Sequence, residues 1–290
     1  MKIAFFGTPE LTLPVLNALQ AHDLTPSLVI TNPDQPVGRQ QIITPPPVKI
    51  WATSQQIPVW QPAGRAELLT SDSPLQQTDW DLFIVFAYGQ ILPATILDLP
   101  RHQTINLHPS LLPQLRGPSP IRSAIRNDIN PTGVSVMLLD TQMDHGPILA
   151  QASVTIPTRD WPLPGPDLET LLISRGAALL VDTIPRWVAG EITPQEQNHQ
   201  QATYCHFITK ADAQLYLDPF SLPTGPAAYQ ALLQIRAYAG WPEAFFVYQN
   251  QRVKIRSASI KDNQLLIERV VPAGRNEMEF RAFLQMVGSN

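Results

Sequence analysis

The chain reads as an α/β protein: an open, mainly parallel Rossmann-like sheet followed by a small C-terminal β-barrel of OB-like kind. Three observations predict this. In the first half, short apolar runs alternate with stretches of helical periodicity, the pattern of βαβ units around a parallel sheet. Near residue 190 a polar, glutamine-rich segment without periodicity interrupts that pattern. Beyond it, short β-rich runs follow one another at close spacing, as in a barrel or meander.

The elements follow in order. Lys2–Phe6 is an apolar run that ends in Gly7-Thr8-Pro9, and Leu11–Leu19 then places apolar residues at helical spacing. Ser27–Thr31 predicts a second strand. Asp81–Ala87 (DLFIVFA) predicts a third, apolar enough to be covered on both faces, and Gln103–His108 (QTINLH) a fourth. Thr132–Leu139 and Ile148–Ile156 predict two later strands, a hairpin-like addition. Leu168–Val188 is amphipathic through Leu171, Leu172, Ala177, Leu180 and Ile184, and predicts a closing helix. Ala189–Thr203 is the linker region, so the expected domains are residues 1–190 and 204–290, joined by a linker at 191–203. In the second domain Ala227–Tyr238 predicts a helix. Glu243–Gln249, Gln251–Ala258 and Gln264–Val271 predict strands, and Trp241-Pro242 fits a buried barrel aromatic better than an exposed stacking platform. No internal repeat is evident.

Composition bounds the function. An apolar share of 44% against 15% charged supplies a normal core and excludes global disorder. The 30 prolines fall mostly between periodic segments and predict stiff connections. Cys205 is the single cysteine, so neither an intramolecular disulfide nor a cysteine-based metal site is expected. The apolar opening breaks at Gly7, too short for a signal peptide or a membrane span, which predicts a cytoplasmic address. A net charge of −4 argues against a general nucleic-acid binder. Residues 206–290 nevertheless carry nine Lys/Arg against seven Asp/Glu, a mildly basic tail that permits a phosphate-bearing partner.

The chemistry-bearing residues lie at a strand end. Gly7-Thr8-Pro9 has the place of a phosphate loop, but G-x-G-x-x-G is absent and Pro9 stands where a flexible glycine is needed, which argues against a dinucleotide site. Asn106-Leu107-His108 puts an amide and an imidazole on one face of the fourth strand. Ligands of such sheets sit beyond the carboxyl ends of the strands. A proline-rich loop, Pro109–Pro113, follows, and Gln142–Gly146 later supplies the carboxylate of Asp144. These are the parts of an acyl-transfer site. An Asn NH₂ and a His N–H can stabilise an oxyanion, and a carboxylate can set the imidazole's charge and help remove an amine proton. The plain reading also stands on spacing alone: Asn-x-His arises by chance, a strand histidine is often a satisfied structural residue, and Asp before Gly forms turns.

The run NLHPSLLPQLRGPSPIRSAI resembles the signature of the folate-dependent formyltransferases, an Asn-x-His followed by SLLP and then a D-x-G loop. Asn106, His108 and Asp144 fall on the catalytic positions. The resemblance implies 10-formyltetrahydrofolate as the donor, with no metal. The folate is then expected along Phe86, Tyr88, Gly89, Ile91 and Leu92, and along Ser110, Leu111, Leu112 and Pro113. FFGTPELTLPVLNAL, the insertion TNPDQPVGRQQIITPPPVKIWATSQQIPVWQP, ATYCHFITKADAQLY and RAYAGWPEAFF resemble landmarks of the branch that acts on tRNA. That branch implies initiator methionyl-tRNA as the acceptor, a monomeric enzyme, and Arg39, Lys210, Arg236 and Lys254 as tRNA contacts. The last three fit an ordinary solvated face nearly as well. Three departures stand out: Pro109 where the family usually has glycine, Gln40-Gln41 where basic residues are usual, and Asp160–Leu168 (DWPLPGPDL). The first two favour the alternative of a formyltransferase or formyl-folate hydrolase acting on a small amine. A non-enzymatic binder of the same fold is disfavoured, because all three catalytic positions are kept. Cys205, with no special context, reads as inert.

Overall fold

The computed structural model describes residues 1–38 and 40–288. Strand β1 (Ile3–Phe6) has all four residues buried, as a strand covered on both faces requires. Gly7 follows it, at a position where a Cβ would lie 2.6 Å from Phe5 Cε1 and 2.9 Å from Phe86 O. Helix α1 (Leu13–Ala21) follows, with Pro14 in its first turn and Val15, Leu16 and Leu19 turned inward. Next come β2 (Leu28–Ile30), the exposed hairpin β3 (Gln35–Val37) with β4 (Ile42–Thr44), α2 (Pro47–Ser54) and β5 (Val59–Trp60). Arg39, expected to contact tRNA, lies outside the described residues. The chain continues through α3 (Arg65–Leu68), β6 (Leu82–Val85), α4 (Ala94–Leu97) and β7 (Thr104–His108). It then forms α5 (Pro120–Arg126), β8 (Thr132–Leu138), β9 (Ile148–Val154) and α6 (Gly165–Val188).

Seven strands make one sheet in the order β5-β2-β1-β6-β7-β8-β9. Pairing is parallel from β5 through β7, and β8 runs antiparallel to β7. The sheet is therefore open and mainly parallel, with β8 and β9 added at one edge. Apolar side chains of β1, β2 and β6 build a core with Trp80, Tyr88 and Ile96.

The C-terminal part contains α7 (Gly225–Ala237), β10 (Phe245–Tyr248), β11 (Gln251–Lys261), β12 (Gln264–Pro272), β13 (Met278–Glu279) and α8 (Phe280–Gly288). The four strands form an antiparallel sheet in chain order. Gln249-Asn250 and Asp262-Asn263 turn it with positive φ at both central residues, the handedness that tight hairpins need. Register shifts near Ser257 bend β11, and bridges at Gln214–Phe245 and Thr224–Gln264 extend the sheet's edges. Phe246, Val253, Ile267, Val270, Phe280 and Phe283 form the core of this small barrel-like domain, with Ala228, Leu232 and Ile235 of α7 packed into it. Trp241 corrects an expectation: it is 53% exposed rather than inside the barrel.

By compactness the chain divides into two units that do not follow chain order. One gathers residues 1–118, 133–154 and 171–204, the other 119–132, 155–170 and 205–290. Helix α5 thus belongs with α7. Its Arg122 donates through Nη1 to Ala237 O (2.9 Å) and Ala239 O (2.7 Å), closing the C-terminal end of α7. Within the same unit, Trp161 Nε1 and the Tyr229 hydroxyl both donate to Asp128 Oδ1, at 2.6 and 2.8 Å. Gly165 lies so close to Arg122 and Ala237 O that a Cβ would collide with both. The unusual stretch at 160–168 therefore serves packing in this unit. Among the described residues, no helix is long and apolar enough to cross a membrane.

Candidate active site

Strand β7 carries Asn106 and His108 side by side on one face, 8% and 4% exposed. Asn106 sits between Val85 of β6 and Met137 of β8, and His108 faces Ser135 across the antiparallel pair. His108 Nε2 lies 2.9 Å from Leu115 O. A carbonyl only accepts, so Nε2 carries the proton, and Nδ1 is left facing Asp144 Oδ1 at 3.6 Å. That distance is longer than a hydrogen bond and close enough for an ion pair once the ring is protonated. Asp144 stands in the left-handed backbone region (φ 50°) on the loop after β8. Its other carboxylate oxygen, Oδ2, accepts from Gly117 N at 2.7 Å, so one oxygen is fixed and the other is aimed at the imidazole.

The side-chain amide of Asn106 makes no hydrogen bond to any described residue, although the residue is almost buried. Buried polar groups are normally satisfied. Its atoms are not among the fully enclosed unsatisfied ones, so a ligand can reach them.

The loop after β7 is held rigidly. Ser135 Oγ donates to Ser110 O (2.7 Å) and accepts from Leu112 N (3.1 Å), while Gln151 Nε2 donates to Leu112 O (2.9 Å). Ser110 spends its own hydroxyl on Gln114 O at 2.6 Å. Gly133 permits this packing, since a Cβ there would lie 2.3 Å from Ala152 O and 2.6 Å from Leu111 Cδ2.

The expected folate residues therefore divide. Loops 86–93 and 109–113 leave the carboxyl ends of the neighbouring strands β6 and β7. Gly89 (φ +83°) and Ile91 are exposed, and Leu111 and Pro113 are half-buried. Phe86, Tyr88, Leu92, Ser110 and Leu112 are buried beneath them. Tyr88 lies in the core with its hydroxyl unpartnered among the described residues, and burial pushes the phenol up to about 12. Its carbonyl accepts from Thr8 Oγ1 and Asn32 Nδ2, both at 3.2 Å, tying this loop to the ends of β1 and β2.

Of the expected tRNA contacts, three lie among the described residues, all in the C-terminal part. Lys210 is exposed; Arg236 Nη2 donates to Ala258 O at 3.3 Å; Lys254 is bound to Glu243 together with Arg256. Two residues that sequence reading passed over stand behind the site, Arg116 and Gln197. The buried Arg116 donates to Gln197, which in turn donates to the backbone of the Asp144 loop. They are 81 residues apart, and no spacing rule joins them.

Residues 1–162 match the formyl transferase family. The chain is 42% identical over 263 residues to methionyl-tRNA formyltransferase of Synechococcus sp. (strain JA-3-3Ab), covering 89% of this chain and 78% of the relative. It is 35% identical over 317 residues to the same enzyme of Halalkalibacterium halodurans, covering 100% and 96%. In fold it is similar to methionyl-tRNA formyltransferase from Clostridium thermocellum, with TM-score 0.59, 19% identity, and 96% and 99% of the two chains covered. It is also similar to a sugar N-formyltransferase from Shewanella sp FDAARGOS_354, with TM-score 0.65, 18% identity, and 90% and 98% covered. A strand-end Asn-x-His opposed by an aspartate and near-full-length likeness to the tRNA enzymes agree, and the chain belongs to the formyl transferase family, among the methionyl-tRNA formyltransferases.

Proposed function

We propose that this enzyme transfers the formyl group of 10-formyltetrahydrofolate to the α-amino group of initiator methionyl-tRNA, by direct attack and without a covalent enzyme intermediate. The observation that carries the reading is the Asn106 amide, nearly buried, reachable and without a partner among the described residues, beside a histidine whose Nδ1 faces a carboxylate. The accessible parts of loops 86–93 and 109–113 suit a flat apolar donor lying across the ends of β6 and β7. As the amine adds to the formyl carbon, Asn106 donates to the oxygen that gains charge. His108 Nδ1 takes the amine proton, and Asp144 stabilises the imidazolium that results. As the tetrahedral species collapses, the bond between the formyl carbon and the donor nitrogen that carried it breaks, and the imidazolium returns the proton to that nitrogen, releasing tetrahydrofolate. The other ring proton stays on Nε2, donated to Leu115 O, and keeps the ring from turning. Arg39, Lys210, Arg236 and Lys254 remain the proposed tRNA contacts, with residues 204–290 as the tRNA-binding domain.

The test is formylation of charged initiator methionyl-tRNA, run beside elongator methionyl-tRNA, free methionine and an acceptor-free control. Product confined to the charged initiator supports the reading. Folate turnover without formylated tRNA would reassign the acceptor to a small amine or to water, with Pro109 the first residue to replace.

A further inference from the structure

The segment from Gln195 to Thr203, expected as part of the linker, is laced to both loops that carry the site. At one end Gln195 and Ile148 exchange backbone hydrogen bonds of 2.8 and 2.9 Å, just beyond the Asp144 loop. At the other, Thr203 O accepts from Arg116 N (2.9 Å), Thr203 N donates to Pro113 O (3.2 Å), and Thr203 Oγ1 accepts from Leu115 N (2.8 Å). Between them lies Gln197, 5% exposed. Its Nε2 donates to Asp144 O (3.0 Å) and Gly146 O (2.7 Å), and its Oε1 accepts from Arg116 Nε (3.1 Å) and Nη2 (2.7 Å).

The residue types fit a bridge. Arg116 is 1% exposed and has no carboxylate partner among the described residues; its other contacts are His199 Nδ1 (2.8 Å) and Tyr204 Oη (3.4 Å). A glutamate at 197 would answer the guanidinium charge better, but it would turn carboxylate oxygen toward two carbonyls. Only an amide both accepts from Arg116 and donates to the Asp144 turn. That turn needs holding, because Asp144 occupies a left-handed conformation that costs energy for a side-chain-bearing residue. The same segment also fixes Leu115, whose carbonyl orients His108. Both sides of the His108–Asp144 gap are thus set from one strip of chain.

We propose that Gln197, itself held by Arg116, is a positioning residue that fixes the Asp144 turn so that its carboxylate faces Nδ1 of His108. The proposal rests on the mechanism given above. Its test compares Gln197→Met and Gln197→Glu in the full-length enzyme, alone and combined with Asp144→Asn, by kcat, KM and thermal unfolding. Each single variant should lose about 10–100-fold in kcat, with both KM values within twofold of wild type. Gln197→Glu, which keeps the Arg116 contact, should unfold no earlier than Gln197→Met yet be no faster, so activity and stability part company. In the Asp144→Asn background the same changes should cost less than twofold. Single variants within twofold of wild type, or losses that multiply in the double variants, would overturn the proposal while leaving a slow Asp144→Asn enzyme and its mechanism intact. Wild-type turnover by Asp144→Asn itself would remove the mechanism and the proposal together.

Discussion

Replacing Asp144 with Asn isolates the charge opposite His108. The change preserves volume, and the amide oxygen can still accept from Gly117 N, now 2.7 Å from Oδ2. What goes is the attraction between a carboxylate and an imidazolium 3.6 Å apart, about 4–5 kcal/mol at an effective dielectric of about 20. Desolvation and partial solvent access, the carboxylate being 14% exposed, return part of that. About 3–4 kcal/mol should remain, a loss of about 100–1,000-fold in kcat. The assay is single-turnover formylation of charged initiator tRNA at saturating donor, with donor KM measured alongside. KM should hardly move, because the charge pair forms only as the proton is transferred. An Asp144→Asn enzyme within threefold of wild type would refute the reasoning, and so would a loss confined to KM.

Three further outcomes follow from the geometry. Tyr88→Phe removes a buried hydroxyl that has no partner among the described residues, so unfolding free energy should rise by about 1 kcal/mol in denaturant titration. Because the Tyr88 phenol is raised to about 12 by burial, wild type should also shed stability relative to Tyr88→Phe as pH climbs from the free phenol's range, about 10, toward 12; parallel curves would contradict this. Gly133→Ala forces a Cβ against Ala152 O and Leu111, and should destabilise by about 1–3 kcal/mol while raising the folate KM through the displaced 109–113 loop. Glu243→Gln releases Lys254 and Arg256 from their shared carboxylate, so tRNA should bind more tightly at low salt, with a steeper salt dependence; an unchanged slope would place those cations away from tRNA.

Much of this was legible in the sequence, for physical reasons that differ by region. The buried strands β1, β2 and β6 are apolar on both faces, so they stand out as runs whatever their neighbours do, while β7 shows instead as an alternation of polar and apolar residues. The hairpins at Gln249-Asn250 and Asp262-Asn263 carry their own turn chemistry. Helices α2 and α5 were not legible: both are eight residues or fewer and open at a proline within a proline-rich run, where loop and helix starts look alike. Helix α8 went unread although its nine residues turn Phe280 and Phe283 inward at helical spacing. Trp241 misled because aromatic content argues for burial, whereas exposure depends on which side of a turn the ring leaves.

At the site, the Asn106–His108 pair was visible from strand alternation and family likeness, and the structure places His108 opposite Asp144. The supporting residues were not. Arg116 and Gln197 meet only through the fold, and each looks ordinary in its own stretch of sequence. The count of charges in the C-terminal region does not show which of them pair: Glu243, Glu277 and Glu279 engage Lys254, Arg256 and Arg269 directly, which leaves the basic excess of two unchanged but fixes where those three cations point.

The central claim, that Asn106 stabilises the developing oxyanion during formyl transfer to charged initiator tRNA, is tested most directly by Asn106→Ala. The donor, the acceptor and the His108–Asp144 pair stay as they are; only the reachable amide is lost. Turnover should fall by about 100–1,000-fold with both KM values near wild type, as for other single oxyanion donors. An Asn106→Ala enzyme that formylates charged initiator tRNA at near-normal rate would contradict the account.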